Sequence, residues 1–193
     1  MTEPVTVVIA EDEAIIRMDL AEVLREEGYD VVAECGRGDD AVRLVAEHRP
    51  DLALLDVKMP GLTGIDAARA ITADGDTAVV MLTAFSQREL IHEASDAGAM
   101  AYLVKPYQRE DLVPAVELAI ARRREAAALR DELLAVEQRF EERKTIDRAK
   151  GQLIDTHGLS EADAFQFLQR SAMSSRRRMI DVATDVLSGD LAP

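Results

Sequence analysis

The chain has 193 residues, enough for one large domain or two small ones. Its 37 acidic and 23 basic residues give a formal net charge of −14, which argues against general adhesion to nucleic acid or to membranes. The single cysteine, Cys35, excludes a disulfide framework within the chain. With no signal-peptide pattern and no apolar run of bilayer length, we expect a cytoplasmic protein without membrane contact.

Apolar runs and amphipathic segments alternate along the first 123 residues. The apolar runs predict strands at residues 5–10, 29–33, 52–55, 78–82 and 101–104. The segments between them predict helices at residues 14–27, 39–47, 64–71, 87–97 and 110–123. Strict alternation requires crossover connections, so residues 1–123 are predicted to form an α/β domain with a doubly wound, five-stranded parallel sheet.

The rest of the chain is predicted to be all-helical. Residues 124–142 form a linker helix in which apolar residues follow spacings of 4, 3 and 4, namely Leu129, Leu133, Val136 and Phe140. This short heptad seam is coiled-coil-like, but a dimer, packing within one domain and a solvated linker all remain open. Helices at residues 146–156, 161–172 and 177–187 form a small three-helix domain, residues 143–193, whose predicted core includes Phe165 and Met173.

Polar residues follow the predicted strands of the first domain. Glu11 and Asp12 follow the first strand, and Asp56 follows the third. Thr83 and Lys105 follow the fourth and fifth strands. Because parallel strands end at one edge of the sheet, the three carboxylates should converge there, and such a cluster favours a hard cation such as Mg²⁺. A carboxylate can attack phosphorus, so Asp56 is predicted to form an aspartyl phosphate whose oxygens contact Thr83 and Lys105.

This set of motifs resembles the receiver domain of two-component response regulators. The resemblance rests on Glu11-Asp12, the run from Asp56 to Gly61, Thr83-Ala84 and Lys105-Pro106. It implies a flavodoxin-like fold and a phosphoryl group donated by a sensor histidine kinase. It also implies a signalling switch that assists only its own phosphotransfer and is not an enzyme.

The receiver resemblance also implies individual roles at the acidic site. Asp56 would be the phosphoacceptor, and Mg²⁺ would be held by Glu11, Asp12, Asp56 and the backbone carbonyl of Lys58. Thr83 would sense the phosphoryl group, and the rotamer of Tyr102 would follow it as the second part of the switch. Glu11 departs from the family, in which aspartate is commoner at this position.

The C-terminal segment is locally basic although the whole chain is acidic. Residues 143–178 contain eight basic and four acidic residues, a local net charge of +4. The candidate nucleic-acid contacts are Arg143, Lys144, Arg148, Lys150, Arg176 and Arg177. By composition alone, a solvated helix face is the alternative interpretation of these residues.

The spaced residues of this segment resemble the ANTAR domain. They are the run from Ile146 to Gly151, Ala164-Phe165, Leu168, Ala172-Met173 and Ala183. The resemblance implies phosphorylation-dependent binding to RNA hairpins in nascent transcripts and transcription antitermination. RNA affinity should fall steeply with salt, and the scarcity of aromatic residues predicts that base stacking contributes less than charge. A DNA-binding regulator and a protein-interaction module or phosphate sink remain alternatives, as does homodimer formation on phosphorylation.

Overall fold

The computed structural model of the protein describes residues 4–73, 76–84 and 88–193. The predicted start of the fourth helix at residue 87 lies outside these residues. The chain divides into two compact units, Met1–Ala128 and Leu129–Pro193. Each unit has its own apolar core.

A five-stranded parallel sheet forms the centre of the first unit. Its strands are β1 Thr6–Ala10, β2 Asp30–Cys35, β3 Leu52–Asp56, β4 Ala78–Thr83 and β5 Ala101–Val104. They are ordered β2-β1-β3-β4-β5, and every neighbouring pair is parallel. The predicted doubly wound α/β fold is therefore confirmed.

Helices cover both faces of the sheet. They are α1 Ala14–Glu26, α2 Gly38–His48, α3 Gly64–Thr72, α4 Arg88–Asp96 and the first part of α5 Arg109–His157. Val7, Ile9 and other alternate strand residues pack with α1 and α5, whereas Val8 and Ala10 pack with α2, α3 and α4. β3 and β4 are buried along their whole length, which explains their uninterrupted apolar sequences.

One helix, α5, extends from the first unit into the second. The sequence predicted helices at residues 110–123, 124–142 and 146–156, and in the structure these segments form one helix without an interrupting turn. Neither Pro114 in the second turn nor Gly151 ends α5, and the residues between them have high helix propensity. The division into domains at residues 1–123, 124–142 and 143–193 stays a prediction.

The second unit is built from the end of α5, α6 Glu161–Ser175 and α7 Met179–Ser188. Gly158 has a φ of 69° after α5, and the Ser160 hydroxyl accepts a hydrogen bond from the Asp163 N–H at the start of α6. Small and branched apolar residues from the three helices form the core. None of the described helices combines the length and the apolar character needed to cross a membrane.

Two sequence predictions in the second unit are wrong. Phe165 and Met173 do not belong to the core, because their exposed fractions are 42% and 73%. The last helix begins at Met179, two residues later than predicted. Arg176 adopts a left-handed conformation with φ 55° that ends α6, and Arg178 is the N-cap of α7.

Candidate functional site

Three carboxylates converge at the carboxyl edge of the sheet. Carboxylate oxygens of Glu11, Asp12 and Asp56 lie within 4.8 Å of one another. The backbone fixes their positions, because the Glu11 N–H donates to the Cys35 carbonyl at 3.0 Å and the Val57 N–H donates to the Leu82 carbonyl at 2.9 Å. Strand pairing is thus prolonged to the acidic residues themselves, and Glu11 and Asp56 are buried.

Lys105 brings a single ammonium group into this cluster. Its Nζ lies 2.5 Å from Glu11 Oε2 and 3.1 Å from Asp56 Oδ1. The Lys105 N–H donates to the Thr83 carbonyl at 2.7 Å, which continues the pairing of β4 with β5. Thr83 is itself buried. The structure thus brings together all five residues predicted at the strand ends, namely Glu11, Asp12, Asp56, Thr83 and Lys105.

Burial and mutual repulsion disturb the protonation of the carboxylates. Burial raises the pKa of Glu11 and of Asp56, whereas the hydrogen bond from Lys105 opposes the change at both. The charge of Asp56 raises the pKa of Glu11 further, and the charge of Asp12 does the same for Asp56. Burial favours the neutral amine of Lys105, but its contacts with the two acids outweigh burial and raise its pKa. One ammonium facing three carboxylates leaves the site with excess negative charge.

The loop after β3 is folded tightly over the end of that strand. The Gly64 N–H donates to the Val57 carbonyl at 2.9 Å, and a Cβ at residue 64 would collide with the Asp56 carbonyl oxygen. This close approach requires glycine at the start of α3. Lys58 lies in the same loop and is exposed. Tyr102, the predicted partner of Thr83 in the switch, is 46% exposed on β5.

Sequence reasoning missed two side chains near the acidic cluster. Arg17 on α1 donates from Nη1 to the carbonyl oxygen of Glu11 at 2.5 Å. Tyr107 has a buried hydroxyl without a hydrogen-bond partner among the described residues, and burial together with the charge of Glu11 raises its pKa. The position of Tyr107 directly after Lys105-Pro106 could have indicated that it lies near the acidic cluster. Nothing in the sequence indicated the contact of Arg17.

Lys150, in the second unit, is held by two acidic residues. Its Nζ lies 2.9 Å from Asp147 Oδ1 and 3.2 Å from Glu161 Oε1. These contacts raise the pKa of Lys150 and connect α5 with the start of α6. The ammonium group is therefore already engaged within the unit.

The other predicted nucleic-acid contacts are more exposed. Arg143 and Lys144 have long ion pairs with acids of their own helix, at 4.0 and 3.4 Å. Arg177 forms a close pair with Asp185, at 2.5 Å. Arg148 and Arg176 are exposed, and no ion pair within the described part of the chain involves them. The candidates thus do not form one continuous set of unpaired cations.

The fold and the acidic site define a class of protein. The family described as the response regulator receiver domain matches residues 7–117, and the ANTAR domain matches residues 135–187. The chain therefore belongs to the response regulators and carries a receiver domain followed by an ANTAR domain. The sequence resemblances to both are confirmed.

Known proteins resemble either the whole chain or its first unit. The transcriptional regulatory protein PdtaR of Mycobacterium tuberculosis is 55% identical over 184 residues, which are 95% of this chain and 90% of PdtaR. The chemotaxis protein CheY of Bacillus subtilis is 35% identical over 57% of this chain and 92% of its own. The solved receiver domain of the response regulator NarL from M. tuberculosis has a TM-score of 0.60 and 31% identity over 62% of this chain and 98% of its own.

Proposed function

We propose that the chain is a phosphorylation-dependent response regulator that binds RNA hairpins in nascent transcripts and acts as a transcription antiterminator. The observation that carries the proposal is the contact of the Lys105 ammonium with both Glu11 and Asp56 inside the three-carboxylate cluster. It places a nucleophilic carboxylate beside a fixed cation at the edge where α/β sheets bind ligands. The cytoplasmic location is part of the same proposal.

The donor set suits Mg²⁺. Glu11, Asp12 and Asp56 provide oxygen ligands only, and we propose that the carbonyl oxygen of Lys58 adds a fourth. Excess negative charge at the cluster favours a cation there. A bound Mg²⁺ would neutralise charge on the phosphoryl group.

In the proposed reaction, a carboxylate oxygen of Asp56 attacks phosphorus in the phosphohistidine of a sensor kinase. The new P–O bond forms as the P–N bond breaks, and the imidazole leaves. The Lys105 ammonium then pairs with a phosphoryl oxygen, and the Thr83 hydroxyl donates to another. Tyr102, about half exposed on β5, follows the movement of Thr83. The protein acts as a switch that assists only its own phosphorylation.

The second unit supports the output side of the proposal. It matches the ANTAR domain, and Arg143, Lys144, Arg148 and Arg176 are exposed on it. RNA loops present phosphates and unstacked bases to such side chains. Lys150 and Arg177 contribute less to binding in this proposal, because both are already paired with acids.

The four residues of the heptad seam are exposed, which supports homodimer formation on phosphorylation. We assign the receiver role to residues 1–123, the linker to 124–142 and RNA binding to 143–193. A DNA-binding output is less well supported, because Glu161 and Asp163 occupy the first turn of α6, the helix that would enter the major groove.

This function is tested by crosslinking the protein to RNA in cells and sequencing the bound RNA, once with the wild type and once with Asp56→Ala. We expect hairpin-containing transcripts with the wild type and marked depletion with the variant. Recovery of no RNA, or of equal RNA from both proteins, would contradict phosphorylation-dependent binding. A parallel titration with duplex DNA and hairpin RNA of equal length separates the DNA-binding alternative.

A further inference from the structure

A groove of about 400 Å³ lies within the second unit, between α5 and the two helices that follow it. Ile146 of α5, Phe165 of α6 and Met179 of α7 give it an apolar lining. Its size falls within the range of small-ligand sites, roughly 300–1,000 Å³. The groove is therefore large enough for one flat ring system.

Phe165 does not contribute its full surface to the core. Its neighbour Ala164 is completely buried and so is Leu168, one turn further on, whereas Phe165 is 42% exposed and lines the groove. An aromatic ring left open to solvent beside an apolar floor is a surface on which another ring can stack.

The charge available at this groove is positive. Each of its two acidic lining residues has an ion pair, Glu142 a long one with Arg178 at 3.6 Å and Asp147 a closer one with Lys150 at 2.9 Å. Arg139 also lines it, is exposed and takes part in no ion pair within the described residues, and Arg143 has only a 4.0 Å contact. These two arginines are one helical turn apart, about 6 Å along α5.

We propose that this groove binds one unpaired nucleobase of an RNA loop, stacked on Phe165, while Arg143 and Arg139 contact the adjoining phosphates, so that RNA binding extends to Arg139 at the end of the linker segment. This inference rests on the proposed RNA-binding function and names the site that carries it. The pairing of the lining acids and the exposure of the arginines favour an anionic, ring-bearing ligand. A single strand fits this description because its bases are unstacked, whereas the bases of a duplex are not.

The test uses the full chain, treated with acetyl phosphate and Mg²⁺, and a hairpin selected by the wild type from a library with a constant stem and a randomised loop. Affinity for that hairpin is measured for Phe165→Ala, Phe165→Tyr and Met173→Ala. Met173 is the matched control, an apolar residue of the same helix that is 73% exposed and does not line the groove. Circular dichroism checks that each variant is folded.

We expect Phe165→Ala to weaken binding about tenfold, the order expected for one base stacked on an aromatic ring. Phe165→Tyr should bind as the wild type does, and so should Met173→Ala. Removal of one loop base should weaken the wild type by a similar factor and leave Phe165→Ala nearly unaffected. If Phe165→Ala does not fold, the affinities of the wild type for hairpins that each lack one loop base still show whether a loop base contributes to binding.

Arg139→Ala is an independent test. It should weaken the salt dependence of the affinity by the equivalent of about one phosphate contact. Phe165→Ala should leave the salt dependence unchanged. Wild-type-like affinity of Phe165→Ala, or no loop position that weakens the wild type when abasic, overturns the inference while the RNA-binding function stands. The groove would then be open to a different class of partner, such as an acidic peptide. A wild type that selects no hairpin overturns both.

Discussion

Two lysines in different units make the same kind of contact in different surroundings. Lys105 and Lys150 each bridge two carboxylates, and their side chains are similarly buried, with exposed fractions of 14% and 17%. Their partners differ, since the carboxylates around Lys105 are 0% and 9% exposed, whereas those around Lys150 are 54% and 79% exposed. The first set is withdrawn from water and the second is solvated.

The difference in exposure between the two sets of carboxylates determines what happens when a partner is lost. A buried carboxylate that loses its partner leaves an uncompensated charge, whereas an exposed carboxylate is simply solvated. The acidic cluster of the first unit therefore depends on its cation. The pairs of the second unit contribute mainly to the arrangement of its helices.

The largest expected change in stability comes from removing the Lys105 ammonium, and the same substitution at Lys150 is the comparison. Lys105→Met should lower the free energy of unfolding of the first unit by about 3 kcal/mol, because Glu11 and Asp56 lose their buried partner. Lys150→Met should lower that of the second unit by less than about 1 kcal/mol. Urea denaturation in EDTA measures both. Tyrosine fluorescence follows the first unit, which contains all three tyrosines, and circular dichroism follows the helices. Equal costs for the two variants would refute the comparison.

Asp56→Asn should raise the free energy of unfolding, whereas Lys105→Met lowers it. The pKa of Asp56 is raised, so its charged form is disfavoured in the fold and destabilises the protein at pH 7. The neutral amide should raise the free energy of unfolding by about 1 kcal/mol in EDTA, and the gain should shrink as the pH falls through the raised pKa. Added Mg²⁺ should stabilise the wild type more than the variant.

Glu47→Gln is the control for this substitution, because Glu47 is an exposed carboxylate outside the cluster. It should change neither the stability in EDTA nor the response to Mg²⁺. An Asp56→Asn protein that is less stable than the wild type in EDTA would show that the Lys105 contact outweighs the burial of the carboxylate.

The sequence predicted the first unit better than the second, for a physical reason. Residues at the ends of parallel strands must share one edge, so Glu11, Asp56 and Lys105 could be brought together without knowing any side-chain distance. No such rule assigns a helical apolar residue to a core or to a groove. Phe165 follows the helical period of the core residues, and only the packing of three helices shows that it lines a groove.

Pairs between distant residues were also beyond prediction. Lys150 and Glu161 come together only when α5 packs against α6, and the pair of Arg177 with Asp185 depends on the turn between α6 and α7. The locally basic composition of residues 143–178 therefore overstated the number of unpaired cations in the second unit. The sequence predicted the long linker helix but gave residues 146–156 as a further helix, whereas α5 continues through them because no glycine or proline stands between residues 140 and 146.

RNA affinity should sharpen the comparison among the cations of the second unit. Arg143→Ala should weaken binding severalfold and reduce the salt dependence by about one phosphate contact, because Arg143 is exposed and only weakly paired. Lys150→Ala should have the smaller effect on the salt dependence, since its ammonium is shared by Asp147 and Glu161. Titrations at several salt concentrations measure both, and a larger effect of Lys150 would reverse the assignment.

Asp51 provides the smallest expected effect and a pH test within the first unit. Its carboxylate accepts hydrogen bonds from the Thr6 N–H at 3.1 Å and from the Arg123 guanidinium at 3.0 Å. Burial alone would raise its pKa, but the hydrogen bonds from Thr6 and the charge of Arg123 lower it. Its stabilising contribution is thus present above the unfolded pKa, about 3.9, and is lost as the pH falls through the lowered value.

Asp51→Asn should therefore cost less than about 1 kcal/mol at pH 7, because a third of the side chain is exposed. The cost should decrease in acid, where the wild-type carboxyl is protonated as well. Tyrosine-monitored unfolding at both pH values measures it. A cost that is the same at neutral and acid pH would rule out the ionised carboxylate as its cause.

The most direct test of the acidic site is the intact mass of the protein after incubation with acetyl phosphate and Mg²⁺. We predict a gain equal to one phosphoryl group, located on Asp56 by peptide mass spectrometry, lost in Asp56→Asn and retained in Glu47→Gln. The wild type should gain no such mass when EDTA replaces Mg²⁺. An unchanged wild-type mass under conditions that phosphorylate another receiver domain, or a gain that persists in Asp56→Asn, would contradict the assignment of Asp56 as the phosphoacceptor.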